Sequence, residues 1–198
     1  MEKQRRLKSY SIDICERGYI QPLIEKWHYS GSLTGVNSEY CFSLHTDRGI
    51  LAGGAVLGQP ASPGTYRKYS ERSKWNLIEI RKLALVDDTP RNAESYFIGG
   101  ILRWLKKNTR YHRVLAFSDS RQGHVGTIYK ASNFLMVDVV RARSIRYGDR
   151  DFHPRVLHRT GPTAREVQAA HERGDTAWVV GKLYAYVYDL VHVPIVST

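Results

Sequence analysis

The spacing of apolar residues along the chain switches repeatedly between a helical and a strand period. Tyr19, Ile20, Leu23, Ile24 and Trp27 recur on one helical face, which predicts a helix with Pro22 near its start, where a missing N–H is tolerated. The residues that follow, Trp27 to Ser32, leave this helix as a polar loop containing Gly31. Two strands are expected at 40–45 and 50–57, joined by a hairpin turn at Asp47, Arg48 and Gly49. Residues 76–86 read as a further strand. Thr89 and Pro90 then have the types of an N-cap and a first helical position. The helix they introduce buries Ala93, Phe97, Ile101, Trp104 and Leu105. A short buried strand at 113–117 and a turn at 118–123 lead to a short helix at 123–132, with Asn133 at its C-terminal cap. Strands at 134–140, 178–180 and 183–190 follow, the last with Tyr184, Tyr186 and Tyr188 on one face. Thr163 and Glu166 have the spacing of a capping box. Helices and strands interleave without a repeat or a low-complexity linker, which points to an α/β or α+β fold in one domain over residues 1–198.

Charge changes this picture more than composition does. The 198 residues carry 30 lysines and arginines against 19 acids, a net charge of +11, which favours a polyanionic partner. Two stretches, a surface insertion at about 59–75 and a basic segment at about 141–160, concentrate the excess. Both interleave cations with aromatic rings, the combination that phosphate neutralisation and base stacking require. Arg67, Lys68 and Arg72 in the first and Arg141, Arg143 and Arg146 in the second are the candidate contacts to a nucleic-acid backbone. The apolar runs are too short to span a bilayer. The basic N-terminus has no apolar core behind it. The two cysteines, Cys15 and Cys41, form no disulfide framework or multi-cysteine zinc site. A reducing cytoplasm is the expected compartment.

Three polar clusters fall at predicted element ends, where functional groups collect. They are His28, Tyr29 and Ser30 after the first helix; Glu79 and Arg81 on the central strand; and Ser118, Asp119, Arg121, Gly123 and His124 between a strand and a helix. The crevice at strand carboxyl ends is where open α/β sheets bind ligands, and a helix start offers N–H groups to an anion. Each cluster also has a structural reading: helix capping for His28 and Tyr29, a same-face ion pair for Glu79 and Arg81, a turn for Asp119, core for Tyr129.

Four blocks then coincide in order: WHYSG at 27–31, IEIRKLAL at 78–85, NAESYFIG at 92–99 and SDSRQGHVGTIYKASNF at 118–134. Together they resemble the phage Mom family, which installs a carbamoylmethyl group on N6 of adenine in DNA and is a divergent branch of the GNAT acyltransferase fold. The resemblance implies a mixed, mostly antiparallel central sheet flanked by helices. The stretch from Tyr129 to Phe134 is similar to the GNAT helix whose tyrosine protonates a departing thiolate. The sequence departs from the GNAT pattern at 86–93, where the glycine loop that holds the coenzyme A pyrophosphate is replaced by a stretch without glycine that contains Asp87 and Asp88.

The resemblance implies a DNA adenine N6-modifying transferase acting on an extruded base and protecting phage DNA from restriction. His28, Tyr29, Arg81, Ser95, Asp119 and Tyr129 are expected to converge in one pocket. His28 or Asp119 is the candidate general base, Tyr129 the general acid, and Tyr29 a partner of the adenine ring. Arg81 and Ser95, with Glu79, Ser118, Arg121, Gly123 and His124 nearby, are the candidate donor-binding set. The donor is a small molecule, of acyl-coenzyme A type if the fold's usual chemistry holds. The family also brings an iron reading, with His28, Tyr29 and Asp119 as ligands. Two other functions fit the residues: a GNAT acetyltransferase acting on a protein or small amine, and a non-catalytic DNA-binding protein.

Overall fold

The computed structural model describes residues 7–70 and 76–190. Arg72, Lys74 and Trp75 lie outside the described residues. The elements run in the order β1 (Ser11–Cys15), α1 (Arg17–Trp27), β2 (Tyr40–His45), β3 (Leu51–Gly58), α2 (Pro63–Tyr69), β4 (Leu77–Leu85), α3 (Ala93–Asn108), β5 (Arg113–Asp119), α4 (Thr127–Ala131), β6 (Leu135–Tyr147), β7 (Arg150–Phe152), α5 (Pro162–Glu172) and β8 (Ala177–Asp189). The eight strands form one sheet in the order β1-β2-β3-β4-β5-β8-β6-β7. The β4–β5 junction is parallel and the other junctions are antiparallel.

Strand alternation divides the core into two layers. Phe42, Ala55, Ile78, Val114 and Ala116 point to one face and pack beneath α3, whose Phe97, Ile98, Ile101 and Leu105 are fully buried. Cys41 and Val56, one residue out of phase, point to the other face and pack beneath Ile20 and Ile24 of α1. Tyr69 of α2 covers Leu77, Leu115, Ala185 and Val187 in a separate cluster. The far end of the sheet is closed by α5, which packs Ala164 and Val167 on Ile145.

The sheet opens at its centre. β4 and β5 pair from Leu77↔Arg113 to Ile80↔Ala116 and then stop, although β4 continues to Leu85 and β5 to Asp119. On its other edge β4 carries a bulge at Arg81, between the Leu57↔Ile80 and Val56↔Lys82 pairs. A bulge bends its strand and re-aims side chains. The two parallel strands therefore diverge toward their carboxyl ends and leave a crevice between them.

Several expected boundaries move. The first helix starts at Arg17, so Pro22 lies inside it, at an exposed position. Thr89 closes a turn instead of capping a helix: its N–H and hydroxyl both donate to the Val86 carbonyl, at 3.2 and 3.0 Å. The helix begins after Asn92, which adopts a left-handed φ of 70°. The stretch at 59–75 contains α2 and so contributes to the core. The strand expected at 134–140 extends through the basic segment to Tyr147, and the last two strands are one. Thr163 lies within α5, which starts at Pro162 after Gly161 and has no side-chain cap. Edge strand β1 was not foreseen. Among the described residues no helix is long and apolar enough to cross a membrane.

Candidate active site

The crevice between β4 and β5 widens into a cleft of about 830 Å³, closed by the end of α1, the start of α3 and the loop before α4. Its size suits a small-molecule or single-base site. His28, Tyr29, Arg81, Ser95, Ser118, Asp119, Gly123, His124 and Tyr129 all line it. Residues up to 101 positions apart in the chain are thus brought together by the splayed strands. Glu79 and Arg121 do not line the cleft; each sits behind a residue that does, through an ion pair.

Arg81 donates from Nη1 to Glu79 Oε2 at 3.0 Å. Burial of Glu79 raises its carboxyl above the usual range, against the pull of Arg81 and Lys82. The Arg81 Nε–H and the Ser118 hydroxyl are both buried and have no partner. A buried donor without an acceptor carries a desolvation penalty that a ligand can relieve. Asp119 lies at the end of β5 and caps the turn Ser120–Gln122, accepting from the Arg121 N–H at 3.0 Å. The Arg121 side chain also grips it, with Nε 2.9 Å from Oδ1 and Nη2 2.5 Å from Oδ2. Ser95 donates its hydroxyl to the Asn92 carbonyl at 3.1 Å.

The same cleft carries a chain of contacts that strand alternation conceals. Lys82 Nζ donates to Ser30 Oγ at 2.6 Å, and Ser30 Oγ lies 2.9 Å from His28 Nδ1. The Ser30 backbone N–H donates to the same Nδ1 at 3.1 Å. Nδ1 is therefore an acceptor, and the neutral ring presents Nε2–H. Burial, with the charges of Lys82 and His124, pushes His28 down to about 3. Burial and neighbouring Arg81 push Lys82 down to about 8. Sequence reading places Ser30 in the first polar cluster but does not single out Lys82. Lys82 follows Arg81 directly, and on a regular strand only one of them would face the crevice; the bulge at Arg81 lets both line it.

Three rings form a shelf at the mouth. Tyr29 lies 4.2 Å from His28 and 6.0 Å from His124 between centroids, with Lys82 Nζ 5.9 Å from its ring. Deeper in the cleft, Tyr129 packs on Phe134 and Tyr186. Burial holds its phenol well above the ordinary tyrosine range, with Tyr29 and Glu79 adding to the effect. Gly126 precedes α4 at φ 73°, and a side chain there would run into the Tyr186 ring.

The iron reading fits this arrangement only in part: His28, Tyr29 and Asp119 all line the cleft and Ser30 occupies only Nδ1 of His28, but both Asp119 oxygens are held by Arg121. Coenzyme A fits in part. The splayed strands resemble a slot for its thioester arm, but the loop where a pyrophosphate would sit is acidic. Asp87 and Glu94 line the cleft there, Pro90 has no N–H, and the Thr89 and Ala93 N–H groups are used within the loop.

Of the residues expected to contact double-stranded DNA, those described sit on two elements, α2 and β6. Arg67 is exposed on α2. Lys68 is ion-paired with Asp138, and Arg146 is bound to Asp151 at 2.5 and 3.0 Å. Arg141 and Arg143 are exposed on β6.

One parallel junction opening into a cleft within an otherwise antiparallel sheet is the architecture of the GNAT N-acetyltransferases. The spermidine N-acetyltransferase from Vibrio cholerae, solved with CoA and spermine, matches with a TM-score of 0.54 at 9% identity, over 92% of this chain and 96% of that one. A Bacillus subtilis acetyltransferase in complex with CoA matches with a TM-score of 0.54 at 12% identity, over 92% and 99%. The chain has the GNAT fold. Within that fold it belongs to the Mom protein family, which matches residues 9–192. The methylcarbamoylase Mom of Escherichia phage Mu is 32% identical over 135 residues, 64% of this chain and 53% of that protein. The chain thus spans about half the length of this curated relative.

Proposed function

We propose that the protein is a DNA-modifying transferase that adds a carbamoylmethyl-type group to the N6 amine of adenine on an extruded base. The observation that carries this reading is the presence, in one cleft of a member of the Mom family, of buried and unpartnered Arg81 Nε and Ser118 Oγ together with the Lys82–Ser30–His28 chain. The first pair lacks an acceptor that a donor fragment would supply, and the chain carries a base.

The N6 lone pair is delocalised into the purine, so its attack needs a base and an oriented donor. The shelf of His28, Tyr29 and His124 receives the purine. Arg81 Nε and Ser118 hold the carbonyl or carboxylate of the donor, with Ser95 at the start of α3 beside them. As the N6–carbon bond forms and the bond to the leaving group breaks, the N6 proton passes to Lys82. The leaving group takes a proton from Tyr129, which burial keeps protonated. The base role assigned to His28 or Asp119 from sequence thus moves to Lys82, because burial holds Lys82 near 8 while His28, near 3, is too weak a base and Arg121 grips both Asp119 oxygens.

Such a modification shields phage DNA from restriction in the host cytoplasm. The test is mass spectrometry of nucleosides from cells expressing the protein. A deoxyadenosine heavier by the added group supports the reading. Unmodified deoxyadenosine in the presence of folded protein overturns it.

A further inference from the structure

β6 and β8 project past the main sheet as a two-stranded ribbon. On one face the register places Val139 opposite Tyr184, Arg141 opposite Lys182, and Arg143 opposite Val180. Tyr184 is also in register with Ser118 of the cleft. The Arg141–Lys182 row is therefore the next row along the same face, about 7 Å from that of Ser118 at strand spacing.

Two like charges directly opposed on a ladder destabilise it. Here Arg141 and Lys182 are opposed, both exposed, with Arg143 on the next row of the face. Among the described residues none of the three has a carboxylate within ion-pair distance. Lys68 and Arg146, by contrast, are each neutralised by an aspartate. Val180 and Trp178 beside the row are about half exposed, which adds an apolar surface to the cations.

We infer that this face of the β6–β8 ribbon, built on Arg141, Arg143 and Lys182, is the track that grips the DNA backbone flanking the base held in the cleft. The inference rests on the DNA-modification reading above. Unpaired cations one row from the cleft fit the phosphates next to an extruded nucleotide, whose negative charge removes the repulsion within the ladder. Lys182 enters as a contact that sequence reading did not single out.

The test is fluorescence anisotropy of a labelled adenine-containing duplex with the full chain, titrated across salt. The triple variant R141A/R143A/K182A is expected to bind at least about tenfold more weakly at ~0.1 M salt. Its slope of log affinity against log salt flattens by roughly two to three, about 0.9 for each lost phosphate contact. Arg48→Ala, in the exposed turn between β2 and β3, stays within about twofold of wild type. A triple variant with wild-type affinity and slope overturns the track while leaving the modification reading intact. A wild-type chain that binds no duplex and yields no modified deoxyadenosine overturns the reading beneath it. Equal displacement of the duplex by poly-glutamate at matched charge overturns the track in favour of an acidic protein partner. If the triple variant does not fold, Arg141→Gln and Lys182→Gln singly carry the same comparison.

Discussion

Lys82 is the residue on which the proposed chemistry turns. Its ammonium is held down to about 8 chiefly by burial, with Arg81 adding repulsion. A base must shed its proton before it can accept one, so kcat/KM should rise with pH through an apparent pKa near 8 and level off above it. His28, at about 3, is neutral throughout this window, and His28→Gln should leave the inflection in place. Lys82→Gln should remove it and lower the rate by about 10²–10⁴-fold, the usual weight of a general base, with duplex affinity unchanged. Linkage gives a second readout. The folded-state pKa lies below the unfolded one, so the folded protein binds fewer protons between pH 8 and 10.5 and the contribution of Lys82 to stability rises with pH there. Behind Arg81, Glu79 makes a different prediction. Glu79→Ala leaves a buried guanidinium without its counter-ion and should lower unfolding free energy by roughly 3–5 kcal/mol in urea. Strand parity in the sequence is enough to pair Glu79 with Arg81. It cannot reveal Lys82, because one bulge residue reverses the alternation and nothing in the residue types marks the bulge.

Among the elements, those with a strong inward stripe were legible in the sequence. α1, α3, the β2–β3 hairpin and β5 each bury several large side chains at regular spacing, and that spacing is what sequence analysis reads. The elements misread are those whose inward face is thin. β1 is an edge strand that packs Ile12 inward while Ile14 stays half exposed. The second half of β6 alternates exposed arginines with Ala142, Ser144 and Ile145, so its charge hid its pleat. α2 contributes mainly Tyr69 and Tyr66 to the core from within a polar stretch. Pro22 shows the reverse case, a residue whose usual meaning is overridden. It stands inside α1, where its ring crowds the carbonyl of Gly18 and its missing N–H removes one helical bond. Burial of Ile20, Leu23 and Ile24 around it outweighs that loss. Since Pro22 itself is exposed, Pro22→Ala should stabilise the protein by about 1 kcal/mol or more, seen as a rise in Tm of about 2–4 °C for a chain of this size.

At the scale of the whole molecule, the site exists because the sheet has a single parallel junction that separates at its carboxyl end. Nothing in the local pattern of β4 or β5 announces which strand each will pair with or where pairing will stop. The members of the candidate cleft could be gathered beforehand only through the resemblance of four ordered blocks to a family. The cleft and the cationic ribbon face share one row of the sheet, so a duplex lying on the ribbon brings its backbone to the mouth of the cleft but leaves a stacked adenine outside it. Extrusion then stands between binding and chemistry, at a few kcal/mol for a paired base and less for an unpaired one. An adenine placed opposite an abasic site should accordingly be modified with a kcat/KM about 10–100-fold higher than the same adenine paired with thymine. The R141A/R143A/K182A variant should lose most of its activity on the paired substrate, and less on the abasic one, because the backbone grip offsets the extrusion that the abasic site has already removed. Equal rates on the two substrates would show that N6 reacts without leaving the helix and would overturn the extrusion step.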